Sequence, residues 1–471
     1  MSFDWRIVTA LALIWVVIAG VVIVLQRRSA AATIAWLLVL TFLPIIGLII
    51  YRLIGPLRLE RKRLKRQLGR LAVEEATGAM ARIREVSSED VQIAHVAIDL
   101  KEAPPLHAET VELYLDGASA YAAILAAIEA AQHHVHVEYY IWEPDKIGTQ
   151  LRDLLVARAR AGVKVRMLID GTGSSSLGRR FLRPLRDAGV EVARFNPVSL
   201  RWIRTRRVDF RTHRKIVVCD GRIGFTGGMN VMDEHSATLS STYWRDTHVR
   251  VDGAAVWPLQ RIFLEDWLFA TEGSPPISAD MFPTPGPERR HVVQIVASGP
   301  DHDRQAIHRT FFTAITRATQ RLWITTPYFV PDESIMTALC TSALRRLDVR
   351  LLIPLRGDSR LIDLAARSYV PELIAAGVQV YEYLPRFIHA KTFVCDDDLA
   401  IVGTANLDNR SFLLNFEVAA MIYDHGVAEQ LARAFTVDLA ESRRIEASDL
   451  EKKSLARRFG EASARLLSPL L

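Results

Sequence analysis

One line of this sequence occurs twice. Thr212-His213-Arg214-Lys215-Ile216-Val217-Val218-Cys219-Asp220 returns as Ile388-His389-Ala390-Lys391-Thr392-Phe393-Val394-Cys395-Asp396, a His-x-Lys-x-x-x-x-Asp pattern in both places. Asn230 follows His213 by 17 residues, and Asn406 follows His389 by 17. A chain that repeats one pattern this closely is built twice on one plan, so its fold must bring the copies to comparable places.

The surroundings repeat too. Val135 to Ile141 reads as a buried strand, Thr149 to Ala161 as an amphipathic helix and Val163 to Asp170 as the next strand. Leu322 to Phe329, Ser334 to Arg345 and Val349 to Pro354 follow the same plan. This predicts an α/β fold, a mixed sheet with helices on both faces, built twice and packed as a pseudo-twofold pair. The halves should cover residues 105–280 and 290–471, dividing in the Pro- and Gly-containing stretch Gly273 to Arg289.

Before them lie two uncharged runs, Ile7 to Leu25 and Thr33 to Tyr51. Each is long enough to cross a hydrocarbon core of about 30 Å at ~1.5 Å per residue. They predict an N-terminal two-helix transmembrane hairpin within residues 1–56, helices at about 7–25 and 33–51, with both chain ends on one side. The basic linker 57–104 opens with Arg58, Arg61, Lys62, Arg63, Lys65 and Arg66 against Glu60 alone, which places it in the cytoplasm. Arg27 and Arg28 fall in the loop this topology puts outside, and Pro44 and Gly47 interrupt the second run, so a re-entrant hairpin is the alternative. In Leu57 to Leu71, Leu57, Leu64, Leu68 and Leu71 fall near one helical face, as in an interfacial helix or a solvated linker.

Cys219, Cys340 and Cys395 have no paired spacing, which excludes a disulfide framework and a zinc site and favours a reducing compartment. Gly171-Thr172-Gly173 lacks the third glycine of a dinucleotide fingerprint, and the chain has neither GxxxxGK[ST] nor HExxH. Neither a cofactor nor a metal is expected.

The repeated pattern suits phosphodiester chemistry. Residues i and i+2 of a strand share a face, so His213 points with Lys215 and His389 with Lys391. A neutral imidazole attacks phosphorus while the ammonium beside it offsets charge on the non-bridging oxygens, and Asn230 and Asn406 add donors. One histidine cannot also protonate the leaving alkoxide from the opposite side, so the other copy supplies the general acid. Asp246 and Glu417 are the expected orienting carboxylates, each fixing a tautomer through the far ring nitrogen. Asp220 and Asp396 complete the catalytic pattern in a mainly structural role, at strand ends, linking the repeats through polar contacts. Arg201, Arg204, Arg206, Arg207, Arg211 and Arg214 are interleaved with Leu200, Trp202, Ile203, Val208 and Phe210, a mixture suited to anionic lipid headgroups or a nucleic acid backbone, or else a solvated loop.

These residues make the chain similar to the phospholipase D superfamily and, within it, the bacterial cardiolipin synthases. The similarity runs through the paired spans with Trp36, Pro44, Gly47, Tyr51 and Gly55, then Phe210 to Lys215, Tyr243 to His248, Ser298-Gly299-Pro300, Gly403 to Ser411 and Arg465 to Leu471. One departure is His235, where that family often carries tyrosine. The resemblance implies two phospholipase D-like repeats, a phosphohistidine intermediate and conversion of two phosphatidylglycerol molecules into cardiolipin and glycerol. It also implies an enzyme embedded in the bacterial inner membrane with its catalytic part in the cytoplasm, acting on anionic phospholipid and not on nucleic acid. A hydrolytic phospholipase D, with water replacing the second lipid, is the alternative; a nuclease of the same superfamily, which the membrane hairpin and the basic-apolar loop argue against, and a lipid-binding scaffold are more distant ones. No motif encodes the oligomeric state.

Overall fold

The computed structural model of this chain describes residues 5–26, 30–54, 91–197, 210–271, 277–301 and 305–468. It forms two compact units, one holding the N-terminal helices and one holding both sheets. Residues 57–71 and Arg201 to Arg207 lie outside the described residues.

In the N-terminal unit the first helix runs Trp5–Leu25, with its side chains described from Ile14 onward. The second expected span is broken at Leu43 into Ala30–Phe42 and Pro44–Ile54, where proline removes a backbone donor. The two pieces fold back on each other. Trp36 and Tyr51 stack edge to face at 5.1 Å between centroids, whereas 15 residues of straight helix would separate them by about 22 Å. A Cβ at Gly47 would overlap the Val39 carbonyl, so this close approach needs glycine. The Gln26 amide donates to the Tyr51 hydroxyl, so the chain returns to the connection it left and does not end beside its start. The geometry is the folded-back alternative, and among the described residues no helix is long and apolar enough to cross a membrane.

The larger unit contains the expected duplication. The first sheet has the strand order Val111–Tyr114, His248–Asp252, Ile223–Gly227, Ile216–Cys219, His134–Tyr139, Lys164–Asp170, Glu191–Phe195. The second repeats it as His291–Ser298, Asn415–Tyr423, Leu399–Gly403, Thr392–Cys395, Arg321–Thr325, Asp348–Pro354, Gln379–Tyr383. The last three strands of each run parallel and the rest antiparallel. Leu106–Ala108 and Ser442–Arg444 extend the second sheet at its edges, so the first residues of the 105–280 range pair with the other half. The helix Val91–Asp99 is packed and not linker-like, with Ile93 and Ala97 inside the second half's core.

Alternation along each strand divides the core. Val217 and Cys219 face outward onto the helices Gly117–Ala130, Lys146–Arg160 and Arg179–Asp187, while Ile216 and Val218 face inward. The inward residues of both sheets, including Val249, Val293, Val394 and Val418, form one shared core with parts of the helices Trp257–Thr271 and His425–Ala440. Cys219 and Cys395 are buried strand residues, as expected.

Candidate active site

The two motifs are positioned by exchange between halves. His213 and Lys215 precede the strand Ile216–Cys219 and do not sit within it. Just before them, Arg211–Thr212 pairs in parallel with Asn415–Phe416 of the second sheet, and the His213 N–H donates to the Phe416 carbonyl at 2.9 Å. The second motif is held reciprocally: Ile388 bridges Arg245 in parallel, and the His389 N–H donates to the Arg245 carbonyl at 2.7 Å. In both cases the residue after the bridging one is the expected carboxylate. Sheet pairing thereby sets Glu417 against His213 and Asp246 against His389.

The contacts follow. His213 Nδ1 lies 3.0 Å from both Glu417 oxygens, and His389 Nδ1 lies 2.7 Å from Asp246 Oδ2. Each histidine is oriented by a carboxylate of the other half. Lys215 Nζ donates to the His213 carbonyl at 2.7 Å, and Lys391 Nζ donates to the His389 carbonyl, so each lysine lies beside its own histidine. The four groups share one pocket: the Lys391 charge acts on His213, and those of Lys215 and His213 act on His389. Asn230 Oδ1 accepts from the Ile141 N–H at 3.2 Å, while Asn406 Oδ1 is buried without a hydrogen-bond partner among the described residues.

Burial sets the protonation states. It pushes the His213 imidazole down to about 4, outweighing the upward pull of Glu417, and holds His389 well below the ordinary range. Both are therefore neutral near pH 7. Burial also brings Lys215 down to about 7 and Lys391 to about 8. It acts to raise Glu417, but His213, Lys215 and Thr404 together hold that carboxyl below its usual value.

Asp220 and Asp396 sit at strand ends away from this pocket, and they do not link the repeats through polar contacts, which corrects that part of the expectation for both. About seven residues of largely extended chain, roughly 20 Å, separate each from its histidine. Asp220 accepts from the N–H groups of Gln132, His133 and His134, and Asp396 from those of Thr319, Gln320 and Arg321. Each ties a hairpin end to the start of a neighbouring strand in its own half. Asp220 (φ 53°) and Gly221 (φ 64°) adopt the left-handed conformation that such a turn requires. Arg211 and Arg214 also depart from a lipid-facing surface: both are buried, paired with Asp170 and Asp266.

Several neighbours escaped the sequence reading. The Thr404 hydroxyl donates to Glu417 Oε2 at 2.5 Å and the Asn415 amide to Oε1 at 3.3 Å. Gly228 occupies the place of Thr404 in the first copy, and a Cβ there would overlap Asp246 Oδ1. The matched offset of 15 residues from each histidine was the available signal. Tyr140 lies against His213 at 5.0 Å, while Trp244, His235 and Phe387 surround His389 at 5.3, 5.5 and 5.7 Å. His235, Asp246 and His389 offer donor atoms within 4.8 Å of one another, a set able to hold a metal ion, although Asp246 is already engaged by His389.

The family described as "Cardiolipin synthase, PLD-like domain" matches residues 124–267 and 311–439, and "Phospholipase_D-nuclease N-terminal" matches residues 7–56. The chain is 40% identical over 480 residues to "Cardiolipin synthase 1" of Bacillus anthracis, covering 98% of this chain and 94% of that one. It is 39% identical to the "Cardiolipin synthase" of Alkalihalophilus pseudofirmus, covering 97% and 92%. In fold it matches the crystal structure of phosphatidylserine synthase from Haemophilus influenzae at a TM-score of 0.60 and 14% identity, covering 81% of this chain and all of that one. With two mixed-sheet halves, two crossed histidine–carboxylate pairs and relatives over nearly its full length, the chain belongs to the cardiolipin synthases of the phospholipase D superfamily.

Proposed function

We propose that this protein transfers a phosphatidyl group between two phosphatidylglycerol molecules, giving cardiolipin and glycerol. The observation that carries the reading is the crossed pairing of His213 with Glu417 and His389 with Asp246, two buried neutral imidazoles each held by its Nδ1. That leaves Nε2 of each ring for chemistry. His213 Nε2 attacks phosphorus and forms an N–P bond as the P–O bond to glycerol breaks, and the departing oxygen takes a proton from His389. The second lipid's hydroxyl returns a proton to His389, and its oxygen displaces His213. Lys215, Lys391, Asn230 and Asn406 stabilise the phosphoryl oxygens. One phosphodiester replaces another, so no nucleotide is required.

The division of roles follows from the surroundings. The tilted rings of Trp244 and Phe387, centred within 6 Å, are neighbours that favour a cationic ring, suiting His389 to carry the shuttled proton. His389 is neutral in the free site, partly because both lysines oppose its charge. An anionic phosphodiester bound between the lysines offsets that opposition, so the His389 ring takes up a proton from solvent as the substrate binds.

The N-terminal helices hold the protein in the bacterial inner membrane with the catalytic part in the cytoplasm. Supporting this, Gln26, next to Arg27 and Arg28 in sequence, meets Tyr51, which precedes Arg52. The basic run from Arg52 to Arg66 follows these helices in sequence, as the charge rule expects of a cytoplasmic flank.

The test is purified protein with phosphatidylglycerol alone, with chelator and without nucleotide, following cardiolipin, glycerol and phosphatidic acid together. Cardiolipin and glycerol in equal amounts are expected. Phosphatidic acid without cardiolipin would make the protein a hydrolase.

A further inference from the structure

The last described helix, Leu455–Leu466, faces the wrong way for a helix of a water-soluble body. Its inner face packs with Glu461, Ala464 and then Ser468, while Leu455, Phe459, Ala462 and Leu466 form a stripe at i, i+4, i+7 and i+11 on the outside. Leu455 is 83% exposed, Phe459 76% and Leu466 82%, so none of them is buried against the described residues. A contiguous apolar stripe held in water is costly, so something covers it.

Charge identifies the cover. Between Lys452 and Ser468 the chain carries Lys452, Lys453, Arg457, Arg458 and Arg465 against the single carboxylate Glu461, which is buried and paired with Lys453 and Arg457. Arg458 and Arg465, seven residues apart, run along one border of the stripe; Arg458 donates to the Leu450 and Glu451 carbonyls, and Arg465 lies 3.5 Å from Glu372, with about half of each side chain left exposed in that pair. Apolar residues flanked by cations fit the interfacial layer of an anionic bilayer. A second protein surface of the same composition would be repelled.

The helix end is fixed near the candidate active site. The Ser468 carbonyl accepts from the Asn409 amide at 3.0 Å, three residues beyond Asn406, and its hydroxyl accepts from Tyr369 at 2.9 Å. The Arg465 guanidinium lies 4.3 Å from the Tyr369 ring centroid.

We propose that Leu455–Leu466 docks the catalytic body on an anionic bilayer, seating Leu455, Phe459, Ala462 and Leu466 among acyl chains while Arg458 and Arg465 meet lipid phosphates. The docking holds the Asn406 segment at the surface from which lipid enters. The proposal rests on the reading that the substrate is a membrane lipid.

Hydrogen exchange of the full chain tests it, in vesicles of phosphatidylglycerol with phosphatidylcholine, in phosphatidylcholine alone and in detergent. Exchange across residues 455–466 should slow in anionic vesicles only; unchanged exchange there overturns the proposal. Protection that appears in detergent together with a doubled mass overturns it in favour of a second copy of the chain. Phe459→Asp should lower turnover on anionic vesicles about tenfold at limiting lipid, the order expected for one phenylalanine that stays in water. Its turnover on lipid dispersed in detergent should equal wild type. Equal turnover on vesicles as well overturns the docking, whereas wild type making no cardiolipin in detergent overturns the enzymatic reading instead. Should Phe459→Asp not fold, exchange in the wild type decides alone.

Discussion

The two copies of the motif share a backbone plan and differ in what surrounds the histidine. Around His213 the polar partners dominate: Glu417 engages the ring with both oxygens and is itself held by Thr404 and Asn415. Around His389 the rings dominate, with Trp244, His235 and Phe387 close by and one Asp246 oxygen on Nδ1. A duplicated fold supplies two equivalent positions, and the side chains packed around them make the positions unequal. The first histidine faces a braced carboxylate and the second sits among rings, and the proposed division of roles rests on that difference.

The largest effect should come from the histidines themselves. His213→Ala should abolish turnover, while His389→Ala should slow it by roughly 10²–10⁴-fold, the range of general acid–base catalysis. In His389→Ala, phosphate-labelled lipid should accumulate on His213, seen by acid-labile label on the peptide. Label trapped on His389 of an otherwise active protein would reverse the assignment.

The carboxylates come next. Glu417→Gln should cost more turnover than Asp246→Asn, because it also disturbs Thr404 and Asn415. Each loss should fall at about 10²-fold or above, since the wrong tautomer then presents a protonated nitrogen. Equal losses, measured as kcat on mixed micelles, would mean the two environments do not differentiate the rings.

A pH profile sharpens the comparison further. Lys215 is pushed down to about 7 and Lys391 to about 8, so kcat/KM should decline above pH ~7 as the first copy loses its cation before the second. Stability should move the other way. The unfolded lysines keep their protons to about pH 10.4, so between these values the unfolded state binds more protons and folding is favoured as pH rises. Lys215→Arg should shift the alkaline limb upward, which kcat/KM against pH would show.

Smaller effects should separate bracing from chemistry. Thr404→Val removes one hydrogen bond to Glu417 and should cost about 1 kcal/mol, several-fold in kcat. Asp220→Asn and Asp396→Asn should lower thermal stability by about 1–3 kcal/mol and leave kcat unchanged, since each carboxylate serves three backbone N–H groups far from the pocket. Both carboxyls titrate below the unfolded value because those N–H groups outweigh burial. Their stabilisation is therefore complete above pH ~4 and is lost as pH falls through the folded value.

Much of this was legible in the sequence because it is local. The strands around Val135 and Leu322, the hairpin turn at Asp220-Gly221 and the pairing of each lysine with its histidine all follow from period, turn chemistry and spacing over a few residues. Gly228 and Thr404 were legible too, had the matched offset been followed. The break at Pro44 was visible, but the fold-back of Pro44–Ile54 onto Ala30–Phe42 needed the contact between Trp36 and Tyr51. Asp220 and Asp396 misled only in being expected to link the repeats, since a residue repeated in both copies does not say which backbone it ties.

The sequence by itself determined that the chain is built twice and that two histidines, two lysines and two asparagines recur at fixed offsets. Only the tertiary structure decided which carboxylate serves which histidine. Glu417 lies 204 residues from His213 and Asp246 lies 143 from His389, separations over which spacing carries no information. Backbone pairing across the two sheets makes that choice, because the hydrogen bonds from His213 to Phe416 and from His389 to Arg245 leave each acid one residue from its ring.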